Sequence, residues 1–283
     1  MDAEDHPYRD FERAGWARAA SSYADSFETI TRLFVEPLLE AIDARSRSTL
    51  LDVACGSGFI AAAAAAAGAQ VEGVDFSPNM VDAARARYPQ LSFRQSDAES
   101  LPFADNTFDA VAIGFGVHHF PFPVRALAEA HRVLRVGGRL GFTVWASIDK
   151  HMVQKIVVDA VRATGDPAAA LPLSPAGEIN DMETCLSLMH AAGFDPAATR
   201  AEMLESRASI ESARRLIELL TEGTVRMSAV IRALPADKSA SLLAGVENAI
   251  GRYLEGGVFK IPATAVLAVG VKTEVVPRMA NRR

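Results

Sequence analysis

Apolar residues along the chain recur with two periods, and the switches between them mark out the elements. Phe11, Trp16, Tyr23, Phe27, Ile30, Phe34, Leu38 and Ile42 fall roughly at helical spacing, which predicts helices over residues 8–43. Short runs rich in Val, Ile, Leu and Phe predict strands near 49–54, 71–75, 91–95, 108–114 and 139–146, with helices near 58–67, 78–88 and 123–135 between them. Pro78 and Pro123 stand at helix starts, where a missing amide costs nothing. The small side chains from Ala61 to Ala67 let their helix lie close to a sheet, and Gly68 stops it. Past Trp145, helices are expected at 150–164 and 181–192, joined by a Pro/Gly-rich stretch from Leu171 to Gly177, and then a strand at 197–206. From 209 to 254 the pattern is helical again, with Ile210, Ala213, Leu216, Ile217 and Leu220 on one face, and Val258 to Val271 reads as the closing strand. Strands alternating with helices define an α/β core, and the late helices form an insert between its last two strands.

The chemistry concentrates where the first two strands end. Leu50-Leu51-Asp52-Val53 runs into Ala54-Cys55-Gly56-Ser57-Gly58, and Val71-Glu72-Gly73-Val74 ends in Asp75. Gly56 and Gly58 let backbone approach a ligand, the next helix points its first amides at it, and Asp75 can accept hydrogen bonds from ribose hydroxyls. The run Gly56-Ser57-Gly58-Phe59-Ile60-Ala61 satisfies the dinucleotide spacing G-x-G-x-x-G/A. Asp52, however, sits just before the turn, where a carboxylate repels a pyrophosphate and suits an ammonium or sulfonium. A triphosphate loop G-x-x-x-x-G-K-[ST] is absent from the sequence. S-adenosylmethionine is the ligand that best fits what remains.

With these residues in place, the chain resembles the class I S-adenosylmethionine-dependent methyltransferases, in the group similar to the ubiquinone/menaquinone biosynthesis enzymes. Val74-Asp75-Phe76-Ser77-Pro78-Asn79-Met80 resembles the family's second-strand segment, Ser96-Asp97-Ala98-Glu99-Ser100-Leu101-Pro102-Phe103 its adenine-edge segment, and Phe108-Asp109-Ala110-Val111-Ala112-Ile113 its fourth strand. His131 to Leu140 resembles the junction into the fifth strand, so the likeness covers roughly residues 48–147 in order. The resemblance implies a Rossmann-like, seven-stranded, mostly parallel sheet whose last strand is antiparallel, with helices on both faces. It implies one domain over 1–283: an N-terminal helical lid (1–45), a cofactor-binding core (46–147) and a substrate side (148–283) with a helical insert at about 209–256. Asp75 would take the ribose, Met80 the adenine face, Asp97 the exocyclic amine, Ala98 the ring, and Tyr23 the methionine end; Asp52, Ala54, Gly56, Gly58, Phe76 and Gly114 complete the implied cofactor set. Ala54 departs from the family's usual glycine, and its methyl is compatible with the turn where φ is negative.

Methyl transfer asks mainly for alignment, which can be worth roughly 7–11 kcal/mol of barrier. A base is needed only for a nucleophile that holds its proton tightly. His118 and His119 lie just past the fourth strand, and histidine is the residue type suited to general-base work near neutral pH. In an extended segment they would point opposite ways, so one faces the substrate and the other is structural. Phe115, Phe120, Phe122 and Trp145 suggest a small, aromatic acceptor. No D/N/S-P-P-Y/F tetrapeptide marks nucleobase amino methylation, no Pro-Cys pair marks attack on a pyrimidine, and Gly114 to Phe120 carries no carboxylate for a metal. Two alternatives stay open: a nicotinamide oxidoreductase, although none of Tyr8, Tyr23, Tyr88 or Tyr253 has a lysine four residues on, and a cofactor-binding protein without turnover.

Composition bears on partners. The 283 residues carry 29 Lys plus Arg against 35 Asp plus Glu, a net charge of −6 with no basic block to follow a phosphate backbone, so nucleic acid is not an expected partner. The alanine run is too short to span a bilayer and the polar N-terminus lacks a secretory pattern, which makes the cytoplasm the expected location. Cys55 and Cys185 offer neither a disulfide framework nor zinc spacing. The sequence leaves the oligomeric state open.

Overall fold

The computed structural model describes residues 6–44, 48–165 and 171–274. Its sheet is built from β1 (Thr49–Val53), β2 (Gln70–Asp75), β3 (Ser92–Gln95), β4 (Phe108–Gly114), β5 (Leu134–Trp145), β6 (Thr199–Ile210), β7 (Leu254–Glu255) and β8 (Val258–Val271). The main path runs β3-β2-β1-β4-β5-β8-β6, with the two-residue β7 pairing only with β8. β1 to β5 are mutually parallel, and β8 is antiparallel to both β5 and β6. The seven-stranded sheet with an antiparallel closing strand is therefore present. β7 adds an eighth strand where the sequence pattern reads as helix, because two residues are too few to set a period; Gly256 and Gly257, both at positive φ, turn it back onto β8.

Alternation along the central strands splits the core into two layers. Leu50, Ala110 and Ala112 face one way with Phe59, Ile60, the N-terminal aromatics and the helix Met152–Ala163. Leu51, Val53, Val111 and Ile113 face the other way with Leu127, Val133, Cys185 and Met189 from the helices Pro123–Val133 and Met182–Ala191. The alanine-rich helix Phe59–Ala66 lies close enough that a Cβ on Gly114 would meet Ile60 Cδ1 at 2.2 Å. The helix Pro78–Arg87 starts on Pro78, and its first turn is capped by the Ser77 hydroxyl accepting from the Met80 amide. The insert between β6 and β8 consists of Ala213–Gly223, Arg226–Arg232 and Ser239–Ile250, and packs on the same face as the N-terminal helices.

Both helical additions thus gather over one face. Glu28 fastens the N-terminal segment down: fully buried, it pairs with Arg32 at 2.7 Å and Arg87 at 2.8 Å and accepts the Ser57 hydroxyl of the glycine turn. No helix among the described residues is long and apolar enough to cross a membrane.

Candidate functional site

The site grows from the C-terminal tips of adjacent parallel strands, where an open α/β sheet leaves a crevice. After β1 the chain turns through Ala54, Gly56 and Gly58 at φ of 55°, 52° and 83°. The expected negative φ at Ala54 is thus corrected. The turn needs the left-handed region there, and alanine occupies it at a cost of about 1–2 kcal/mol. Gly56 has open space, since a Cβ on it would lie 3.9 Å from Tyr23 Cε1, whereas one on Gly58 would strike Phe93 at 2.7 Å. The first glycine leaves room for a ligand; the second serves close packing.

Asp52, one residue before the end of β1, and Asp75, the last residue of β2, are both buried. Asp52 Oδ2 accepts the Ala61 amide at 3.0 Å, and Oδ1 is buried with no partner. Burial pushes its carboxyl up to about 8 despite that amide. Asp75 accepts the Gly56 amide through Oδ2 and the Ser77 amide through Oδ1, each at 2.9 Å. Burial raises it to about 6, with those two amides opposing. Each oxygen has a second lone pair for a ligand donor.

A small cavity lies beside them, lined among others by Val53, Ala54, Phe76, Asp97, Ala98, His119 and Phe120. It holds about 30 Å³, room on the order of one or two waters and far less than a nucleoside needs. The reason lies on the N-terminal helix Pro7–Ala19. Arg9 places one guanidinium nitrogen on Asp97 and another 3.0 Å from Glu99, so the acid expected at the adenine edge is held by an internal cation.

Tyr8, Glu12 and Trp16, four residues apart on that helix, form one stripe that grips the segment after β4. The Tyr8 hydroxyl donates to the His118 carbonyl at 2.9 Å, Glu12 meets His119 Nδ1 at 2.8 Å, and the Trp16 ring stands edge-on to His119 at 5.0 Å. The two histidines belong to a 3-10 turn, Val117–His119, and not to the extended segment the sequence suggests. They still differ in environment. His118 Nδ1 is buried without a partner, and burial drives its ring well below the usual histidine range. His119 lines the cavity with a carboxylate behind it, the arrangement that fixes an imidazole for proton transfer.

Other expected residues divide. Ala98 and Phe76 are on the cavity wall. Tyr23 is buried against Trp16, with its hydroxyl 3.3 Å from Thr31 and its ring over Gly56. Met80 is buried in the core with Tyr23 and Phe59 and not on that wall, and Gly114 faces Ile60. Of the aromatics, Phe115 and Trp145 meet, stacked at 4.0 Å, while Phe120 joins the cavity and Phe122 packs on His6 and Arg125. Sequence reasoning missed Tyr8, Arg9 and Glu12. For Glu12 a signal exists, an acid in step with aromatics at i−4 and i+4; for the others none is local.

The fold is Rossmann-like, with a left-handed glycine turn and two buried carboxylates at the tips of adjacent parallel strands. The family described as "Methyltransferase domain" matches residues 51–142. The demethylmenaquinone methyltransferase of Streptomyces griseus is 30% identical over 179 residues, 60% of this chain and 78% of that protein. Its counterpart in Chlorobaculum parvum is 43% identical over 98 residues, 34% of this chain and 41% of that protein. The chain thus spans under half the length of several curated relatives it matches. The YcgJ protein of Bacillus subtilis shares the fold, with a TM-score of 0.56 at 21% identity over 86% of this chain and 99% of that one. The chain belongs to the class I S-adenosylmethionine-dependent methyltransferases, and its sequence is similar to relatives named for demethylmenaquinone methylation.

Proposed function

We propose that the protein transfers a methyl group from S-adenosylmethionine to a small aromatic acceptor bearing a ring hydroxyl. The observation that carries this is Asp52 Oδ1, a buried acceptor with no partner beside a glycine turn. An ammonium or sulfonium matches it, and a nicotinamide dinucleotide's pyrophosphate does not. Relatives named as demethylmenaquinone methyltransferases support an acceptor of the quinol class.

When bound, S-adenosylmethionine supplies a methyl already activated on sulfur, and the chain's own residues bind, orient and exclude water. In this reading Asp52 holds the ammonium, Asp75 the ribose hydroxyls, Asp97 and Ala98 the adenine after Arg9 withdraws, and Tyr23 covers the methionine end. His119, backed by Glu12, takes a proton from the acceptor's hydroxyl, while His118 supports the turn. Residues 1–45 serve as the lid, 46–147 as the cofactor core, and 148–283 as the acceptor side.

The test is calorimetric binding of S-adenosylhomocysteine and of NADPH, followed by incubation with methyl-labelled S-adenosylmethionine and a panel of hydroquinones and phenols. Binding of the former alone, with label on a small molecule, is expected. NADPH binding, or label only on protein or nucleic acid, overturns the reading; tight cofactor binding with no transfer reassigns the chain as a binding protein.

A further inference from the structure

We propose that Arg9 is a built-in competitor of the cofactor: its guanidinium occupies Asp97 in the free protein, and nucleoside binding requires it to let go. The inference rests on the methyl-transfer reading, which gives Asp97 to the adenine, and extends it to how the cofactor gains entry.

The helix Pro7–Ala19 lines the cavity with Arg9 and Glu12. Arg9 reaches from it to the segment after β3, where Nη1 pairs with Asp97 Oδ2 and Nη2 lies 3.0 Å from Glu99 Oε2. Asp97 Oδ1 in turn accepts the Glu99 amide at 2.9 Å. Both Asp97 oxygens thus have partners inside the chain before any ligand arrives. Arg9 and Asp97 border the same small cavity as Ala98, Phe76 and Ala54, so the guanidinium stands on the ground that an adenine edge needs.

Three features separate this contact from a fixed structural pair. The guanidinium does not fork onto one carboxylate, the firmest arrangement, but places one nitrogen on each of two. Its Nε is buried with no partner, so the seated side chain carries an unmet donor. The Asp97 side chain is 40% exposed and that of Glu99 only 7%, so water can replace the cation at Asp97 and not at Glu99. Glu99 is fixed besides by the Phe122 amide, which donates to Oε1 at 3.1 Å. The guanidinium can therefore release Asp97 while keeping Glu99, a step that breaks one ion pair and not two.

A latch of this kind lowers the apparent affinity by the fraction of molecules in which it is open. Closed in about nine molecules of ten, it weakens binding about tenfold. The effect falls on the association rate, because release precedes the seating of the nucleoside. A lid residue that grips bound cofactor acts with the opposite sign: its removal speeds dissociation and weakens binding. The two roles for Arg9 are thus separated by the direction of one measurement.

The experiment measures S-adenosylhomocysteine binding to the full chain by calorimetry and stopped flow, in wild type, Arg9→Gln and Arg9→Lys. Arg9→Gln is expected to tighten binding about tenfold through faster association. Arg9→Lys, which keeps the charge and loses the second pairing nitrogen, should fall between the two. In wild type carrying ¹⁵N-labelled arginine, the Arg9 Nε resonance, assigned by its loss in Arg9→Lys, should move at saturation. Where the Gln variant fails to fold, the Lys variant and that resonance decide. Equal or weaker binding in the folded variants, or an unmoved Arg9 resonance, overturns the latch and leaves Arg9 as a fixed pair or a lid residue. Failure of the methyl-transfer reading looks different: S-adenosylhomocysteine then binds none of the three proteins, and latch and reading fall together.

Discussion

If Asp52 faces the ammonium of the cofactor, binding must change its protonation. Burial places the carboxyl at about 8 in the free protein, so at pH 7 only about one molecule in ten carries the charge that a cation wants. Below pH 8 each unit of pH changes that fraction about tenfold, equivalent to about 1.4 kcal/mol. Affinity for S-adenosylmethionine is therefore expected to rise by about tenfold per unit between pH 6 and 7.5. Asp75, at about 6, steepens the loss below that window. The free protein responds with the opposite sign. Its folded-state value is raised above the unfolded value, so the native state retains a proton that the unfolded chain has released, and this contribution to stability falls as pH rises from about 4 to 8. Calorimetry at pH 7 in buffers of different ionisation enthalpy should show close to one proton released per cofactor bound. Asp52→Asn should bind more weakly and lose the pH dependence over that window. A flat wild-type profile with no buffer-dependent heat, or an Asn variant that keeps the slope, refutes the placement of the cation.

Asp75→Ala should weaken S-adenosylhomocysteine by about 1–3 kcal/mol, because ribose hydroxyls and the Gly56 and Ser77 amides all lose their acceptor; unchanged calorimetric affinity counts against it. His119→Ala should slow label transfer by about 10²–10⁴ while sparing cofactor binding, whereas His118→Ala should cost much less turnover; equal rates in both variants return the pair to packing. Ala54→Gly should stabilise the fold by about 1 kcal/mol in urea unfolding, the relief of a left-handed alanine less the extra entropy of glycine in the unfolded chain; a lower midpoint refutes the strain.

The fold was legible because its signals are local and repeated. The central strands β1 and β4 are short, largely apolar runs, Ala61 to Ala67 marks the close-packed helix, and Pro78 and Pro123 mark helix starts. The tips of β1 and β2 were legible for the same reason, since Asp52, Gly56 and Asp75 hold their positions relative to elements that the period defines. The eighth strand was not, with two residues and no period. Nor were the contacts that close the site, because Tyr8 meets the carbonyl of His118 across 110 positions and Arg9 meets Asp97 across 88. No spacing rule relates such residues; only the packed helix Pro7–Ala19 brings them together.

Local reading went furthest astray at Ala54 and the histidine pair, and both misjudgements share a cause. A residue at a strand tip does not continue the strand. The chain leaves β1 and β4 through left-handed residues, Ala54 at φ 55° and Phe115 at φ 55°, and the two turns pack together, since a Cβ on Gly116 would lie 2.9 Å from the Ala54 methyl. The bend at Phe115 precedes the 3-10 turn Val117–His119, which Tyr8 and Glu12 contact from the N-terminal helix. Propensity disfavours alanine and phenylalanine in that region, so neither position reads as a turn. Together the two bends bring Val53 and Ala54 from one tip and His119 and Phe120 from the other to the wall of one cavity.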